Sequence, residues 1–208
     1  MVQPHMKKEQ RKRIVDRHRD SLKRHGYHPN ALYWSSREIQ EVRFRVLAEI
    51  GIKSGDSVLD VGCGFADFKS WMKGQGRDIC YTGVDLSPDL IRVAREKHPD
   101  AVLHCGELSD FDFASASFDW VVLSGALNEQ LHDDGVYAHK IISSMFELCR
   151  LGLAFNLLDA RSLKAHDLQS FELDEIVSYC SKLSPHIKVI DGYLDNDFTV
   201  YIYRSRQN

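Results

Sequence analysis

With 208 residues the chain has room for one domain built on a full core, not for two comfortable ones. Its 43% hydrophobic and 27% charged residues sit at the globular average, which excludes wholesale disorder, collagen and coiled-coil architectures. The net charge of −3 conceals an asymmetry, because residues 1–24 hold nine Lys/Arg against three Asp/Glu, a local +6 that leaves −9 on the remainder. An acidic body with one basic arm is a poor footprint for wrapping nucleic acid, although the arm could touch phosphate; a solvated helix face is the simpler expectation.

No apolar run approaches the roughly 18 to 20 residues needed to cross a bilayer, and the opening MVQPHMKKEQRKR lacks an apolar h-region, so a cytoplasmic chain with no membrane partner is expected. Cys63, Cys80, Cys105, Cys149 and Cys180 form no C-x-x-C pair and fall mostly in apolar stretches, where buried thiols are expected and no metal site is implied.

Residues 7–24 carry few large apolar groups, Ile14, Val15 and Leu22, so a helix ending near Gly26 would bury little and be loosely attached or act as a lid. Residues 1–30 are accordingly set apart as a basic helical arm, and 31–208 as the main domain. Ser35-Ser36-Arg37-Glu38 reads as a capping box opening a second helix through Ile39, Val42, Val46, Leu47 and Ile50, with Gly51 as its left-handed C-terminal cap. The chain then alternates strands and helices. Strands are expected at 57–61, 79–84, 101–104, 120–123 and 153–158; helices follow the glycine-rich turn at 62–66, run from Ser87-Pro88 to about Lys97, and span 134–149 and 173–183. The runs Ile187–Ile190 and Phe198–Tyr203 have no helix between them and should pair antiparallel. Such repeated strand–helix units predict a doubly wound, mostly parallel α/β sheet with a C-terminal antiparallel hairpin and helices on both faces. Ligands of these sheets bind beyond the carboxyl ends of the strands, at the switch point of chain order.

After the first strand, Asp60-Val61-Gly62-Cys63-Gly64-Phe65-Ala66-Asp67 has the small residues that let a ligand approach a backbone turn closely. A dinucleotide fingerprint would need glycine where Asp67 stands, and pyrophosphate would face that carboxylate. A positively charged, phosphate-free ligand would instead be welcomed by Asp60 and Asp67, and S-adenosylmethionine is such a ligand.

Val58-Leu59-Asp60-Val61-Gly62-Cys63-Gly64 resembles the first motif of class I S-adenosylmethionine-dependent methyltransferases. Tyr81-Thr82-Gly83-Val84-Asp85-Leu86-Ser87 resembles the second, Cys105-Gly106-Glu107-Leu108 the third and Ser117-Phe118-Asp119-Trp120-Val121-Val122 the fourth. The resemblance spans residues 35–204 and implies a seven-stranded sheet. It also implies that Asp60, Gly62, Cys63 and Gly64 border the cofactor, that Asp85 holds both ribose hydroxyls and Leu86 packs on adenine. Gly106, Glu107 and Leu108 would then read the ring, while Ser124 and Gly125 line the methionine part. Ala66 stands where a third glycine is frequent, and Asp119 is expected to fix a local turn. The segment before the first strand would close over the cofactor. There Arg43 could pair with the methionine carboxylate or face solvent, while Tyr33 and Trp34 are expected to be packing more than substrate walls.

A sulfonium is already an activated leaving group, so no obligatory catalytic residue is legible. Bases to consider where an acceptor would approach are Asn128, His132, His139, Asp159, Lys164 and His166, with His132 and His166 foremost and His104 nearer the adenine end. With little chain beyond the shared core, a small-molecule acceptor is expected. The alternatives are RNA or protein methylation using the basic arm, or a binding-only relative without catalysis.

Overall fold

The structure, a computed structural model, describes residues 6–162 and 168–206. Strands β1 (Ser57–Val61), β2 (Cys80–Asp85), β3 (Val102–Cys105), β4 (Phe118–Ser124), β5 (Cys149–Leu158), β6 (Ile187–Asp191) and β7 (Asp197–Tyr203) form one sheet in the order β3-β2-β1-β4-β5-β7-β6. The first five pair in parallel, while β7 runs antiparallel between β5 and β6, with Leu158 opposite Asp197 and Asn156 opposite Thr199. The predicted hairpin is therefore present, and its second strand lies inside the sheet rather than at its edge.

Helices α1 (Lys8–His25), α2 (Arg37–Ala48), α3 (Asp67–Gly74), α4 (Pro88–Lys97), α5 (Val136–Leu148) and α6 (Leu173–Ser181) accompany the sheet. Strand alternation divides the core into two layers. Leu59, Val121, Leu153, Phe155, Val200 and Ile202 pack with Ile141, Ile142 and Met145 of α5 and Ile176 of α6. Their neighbours Val58, Trp120, Val122, Ala154 and Tyr201 pack with Phe44 and Leu47 of α2, Phe68 and Met72 of α3, and Ile91 of α4. Runs that are apolar at every position are what strands covered on both faces require.

Local chemistry differs from the sequence reading at several points. Helix α2 is capped by Ser36, whose hydroxyl accepts from the Ile39 amide at 3.3 Å, so the cap lies one residue beyond the expected Ser35–Glu38 box. The helix ends at Ala48 with Glu49 as its cap, and Gly51 (φ 130°) turns the chain two residues later. Cys80 and Cys105 are exposed, unlike the buried Cys63, Cys149 and Cys180, because they stand at the first and last positions of short strands on the β3 side of the sheet. Asp119 does fix a local junction, accepting from the Ser57 amide (2.9 Å) and hydroxyl (2.7 Å) and from Arg150. Among the described residues no helix is long and apolar enough to cross a membrane.

Candidate active site

Loops at the carboxyl ends of β1 to β4 enclose a cavity of about 470 Å³, roofed in part by α1. It lies where chain order reverses between β1 and its neighbours β2 and β4. Gly62 and Gly64 form its floor after β1, with φ of 75° and 55°. A Cβ on Gly62 would collide with that of Ala126, and one on Gly125 would lie 3.0 Å from the Trp34 ring, so glycine is demanded by space as well as by backbone angle.

Asp85 ends β2 with both carboxylate oxygens oriented by the backbone. Gly64 N–H donates to Oδ2 at 2.9 Å and Ser87 N–H to Oδ1 at 2.8 Å. Those amides hold the carboxylate at the cavity wall, and the remaining lone pairs suit a ligand that presents two hydroxyls. Leu86, Gly106, Glu107 and Leu108 continue the wall. The Glu107 carboxylate is already engaged, by Arg11 Nε at 2.5 Å and by the Ser109 hydroxyl at 3.3 Å. Ser124 and Gly125 follow β4, and Arg43 reaches the cavity from α2.

Ten of the twelve expected cofactor residues thus line the cavity, and Asp60 and Cys63 do not. Asp60 faces the α2–α3 layer, accepts a hydrogen bond from the Tyr81 hydroxyl at 2.6 Å, and is 4% exposed. Burial pushes its carboxyl up to about 7, against the pull of the Tyr81 bond. Burial likewise raises the Cys63 thiol well above its ordinary value, which suits a packing role. Asp67 is also turned away from the cavity, accepting from Tyr27 Oη (2.7 Å) and Gln40 Nε2 (3.2 Å). Ala66 adopts the left-handed conformation (φ 60°) in which a third glycine would be expected.

Tyr33 and Trp34 are walls of the cavity rather than ordinary packing: Tyr33 is 44% exposed, and the Trp34 ring lies 4.4 Å from the Arg43 guanidinium carbon. His132 is exposed and does not line the cavity. His166 and Lys164 lie outside the described residues. His139 stacks on Tyr179, His104 packs against Phe111 and Phe113, and Asp159 is bonded to Arg161. Asn128 does line the cavity, its Oδ1 accepting from the Leu158 amide at 3.3 Å.

Sequence reasoning allowed α1 as a loosely attached arm or a lid, but missed the ion pairs that seat it. Its basic face is not simply solvated. Arg11 bonds Glu107 and Asp110, the Arg13 guanidinium donates to the Gln130 carbonyl, Arg17 pairs with Glu129 at 2.9 Å, and Arg19 pairs with Asp89 at 2.9 Å. Gln10 Nε2 donates to the Leu131 carbonyl at 2.9 Å. These contacts reach the loops after both β3 and β4, and they place Ile14, Arg17 and His18 over the cavity. The spacing Ile14, Arg17 or His18, Ser21 is one helical face and was the available signal; the dense charge around it obscured the pattern.

The lining cations Arg17 and Arg43 are each paired with a carboxylate, whereas Asp85 has no cationic partner among the described residues. The floor around Asp85 therefore holds no unpaired cation among the described residues, and Arg43, paired through Nε and Nη2, keeps only its Nη1 edge open at the wall beside Gly125.

Residues 58–152 match the family model described as a methyltransferase domain. An uncharacterised methyltransferase of Schizosaccharomyces pombe is 32% identical over 105 residues, covering 46% of this chain and 40% of that protein. A demethylmenaquinone methyltransferase of Listeria monocytogenes is 37% identical over 82 residues, covering 36% of this chain and 35% of that protein. The matched region thus spans 40% or less of these relatives' own length. The magnesium protoporphyrin IX methyltransferase of Synechocystis, crystallised with S-adenosylmethionine, shares the fold with a TM-score of 0.66 at 14% identity, over 97% of this chain and 100% of that one. Residues 58–152 thus resemble a methyltransferase domain in sequence, and the chain as a whole shares the fold of a methyltransferase crystallised with S-adenosylmethionine.

Proposed function

We propose that this protein transfers a methyl group from S-adenosylmethionine to a small-molecule acceptor by in-line displacement. One observation carries the reading: Asp85, fixed by two backbone amides at the end of β2, faces a glycine-floored cavity that offers it no cation. In this reading Asp85 takes the ribose hydroxyls, Leu86 and Leu108 flank adenine, Glu107 accepts from its amino group, and Ser124, Gly125 and Arg43 surround the amino-acid end. Asp60 and Cys63 support the glycine loop from behind.

When bound, S-adenosylmethionine supplies a methyl carbon on a sulfonium leaving group. The chain's own work is then to orient donor and acceptor and to exclude water, which α1 favours by lying over the cavity. Among the described lining residues His18 is the one imidazole. Its Nδ1 lies 3.2 Å from the Ile14 carbonyl, so as donor there it would leave Nε2 free to accept a proton from an acceptor hydroxyl.

A small acceptor is favoured because the cavity is closed down by α1, and because the arginines that could have offered a phosphate surface are committed to acids and carbonyls at its mouth. The names of the Listeria and Synechocystis proteins, which specify small-molecule acceptors, agree with this class without identifying the acceptor. Calorimetry should show binding of S-adenosylmethionine and S-adenosylhomocysteine, and Asp85→Ala should weaken both by at least about 1.5 kcal/mol, the low end for a charge-assisted bond. No heat with either ligand would overturn the reading. Turnover of a labelled methyl donor against fractionated metabolites, with RNA and protein fractions beside them, would then identify the acceptor class.

A further inference from the structure

Arg43 and Asp197 form a buried ion pair that ties α2 to β7 on the face of the sheet that α2 covers, with side chains 9% and 1% exposed. Arg43 Nε donates to Asp197 Oδ2 and Nη2 to Oδ1, the second bond at 2.5 Å. This fork-to-fork arrangement consumes one edge of the guanidinium and fixes its plane against the Trp34 ring. The other edge points elsewhere. Nη1 lies 3.5 Å from where a Cβ on Gly125 would stand, at the cavity wall, and among the described residues it has no acceptor.

A pair of this kind is hard to account for by stability alone. Removing two charges from water costs several kcal/mol per ion, and well-packed apolar residues of similar volume often serve as well. Strand alternation puts Asp197 on the same face as Thr199 and Tyr201, and the row Ser124, Asn156, Thr199 runs across β4, β5 and β7 beside it. Two buried side-chain atoms lack a partner among the described residues, Asn156 Nδ2 in that row and Gln40 Oε1 one helical turn before Arg43. Unsatisfied polar groups thus remain on α2, which carries Arg43, and on β5, which pairs with β7.

We propose that Asp197 is a positioning residue, which holds Arg43 edge-on so that Nη1 receives the amino-acid carboxylate of the adenosyl ligand, a role that rests on the methyl-donor reading above. Its effect should be selective for ligands that carry the carboxylate. S-adenosylhomocysteine has it, and 5′-methylthioadenosine keeps the adenosine and the thioether but lacks the whole amino-acid arm.

Binding of the two ligands to wild type and Asp197→Asn is the test, with each variant's unfolding midpoint measured beside it. The expected result is a loss of at least about tenfold for S-adenosylhomocysteine, the low end for a charge-assisted bond, with 5′-methylthioadenosine held within about twofold. Arg43→Lys keeps the charge but lacks the second edge; it should show the same selectivity, and it decides the matter if Asp197→Asn does not fold. An equal loss for both ligands, or no loss for either, would reduce Asp197 to a structural brace and overturn the proposal. Wild type that binds 5′-methylthioadenosine but not S-adenosylhomocysteine also overturns it, leaving the adenosine site intact, whereas wild type that binds neither overturns the methyl-donor reading itself.

Discussion

Asp60 lies in the motif that resembles a cofactor loop, yet its carboxyl turns to Tyr81 in the layer beneath. Its proton uptake makes a distinctive stability signature. An exposed aspartate ionises near the ordinary value of 3.8, and burial lifts this one to about 7 in the folded chain. Below the ordinary value both states hold the proton and Asp60 costs nothing. As pH rises from there toward 7, the unfolded chain releases a proton that the folded chain retains, so stability falls through that window and levels off above it. Asp60→Asn keeps an acceptor for Tyr81 without the titration. Urea unfolding between about pH 5 and about pH 7.5 should show the variant gaining on wild type as pH rises; parallel pH profiles would show that Asp60 is ionised in the folded protein.

Helix α2 connects the core to the cavity. Its inner face supplies Phe44 and Leu47 to the sheet, its first turn supplies Ile39 to the cavity wall, and Arg43 serves both. Tyr201 of β7 donates its hydroxyl to the Val46 carbonyl, so the middle of the helix is tied to the same strand that carries Asp197. The first turn depends more on its cap, because Ser36 satisfies the Ile39 amide there. Ser36→Ala should cost about 1 kcal/mol of stability. The urea midpoint should fall with the slope unchanged, and S-adenosylhomocysteine affinity should fall with it because Trp34 and Ile39 lose their fixed entry angle; an unchanged midpoint would mean that β7 alone orders the helix.

For the whole molecule, the basic N-terminal segment and the acidic body are complementary parts of one structure. Arg11, Arg17 and Arg19 pair with acids in three different segments, and their side chains are 32%, 29% and 42% exposed, within reach of salt. Each such pair is worth about 0.2–1 kcal/mol, so the helix is held by several weak ties over modest apolar contacts at Ile14 and Leu22. Raising salt from about 0.05 M to about 0.5 M should weaken S-adenosylhomocysteine binding severalfold in the full chain. Deletion of residues 1–24 should weaken binding already at low salt and flatten the salt dependence. Equal salt slopes for both proteins would show that α1 does not contribute to closing the cavity.

Much of this architecture could be read locally. Apolar runs such as Trp120–Leu123 declare buried strands and Ser87-Pro88 declares a helix start, because each depends on neighbours within a few positions, whereas the expectation that Asp85 holds ribose came from the resemblance of its motif. The fate of a charged side chain depends on what the strand order brings opposite it. Arg43 and Asp197 are 154 positions apart and meet because β7 inserts between β5 and β6. Arg11 meets Glu107 across 96 positions because α1 folds back over the cavity. Local pattern therefore determined the fold and the floor of the site, while the tertiary structure alone decided which ionic groups face the ligand and which are consumed by one another, since Coulomb pairing follows distance in space and leaves no periodic trace in the chain.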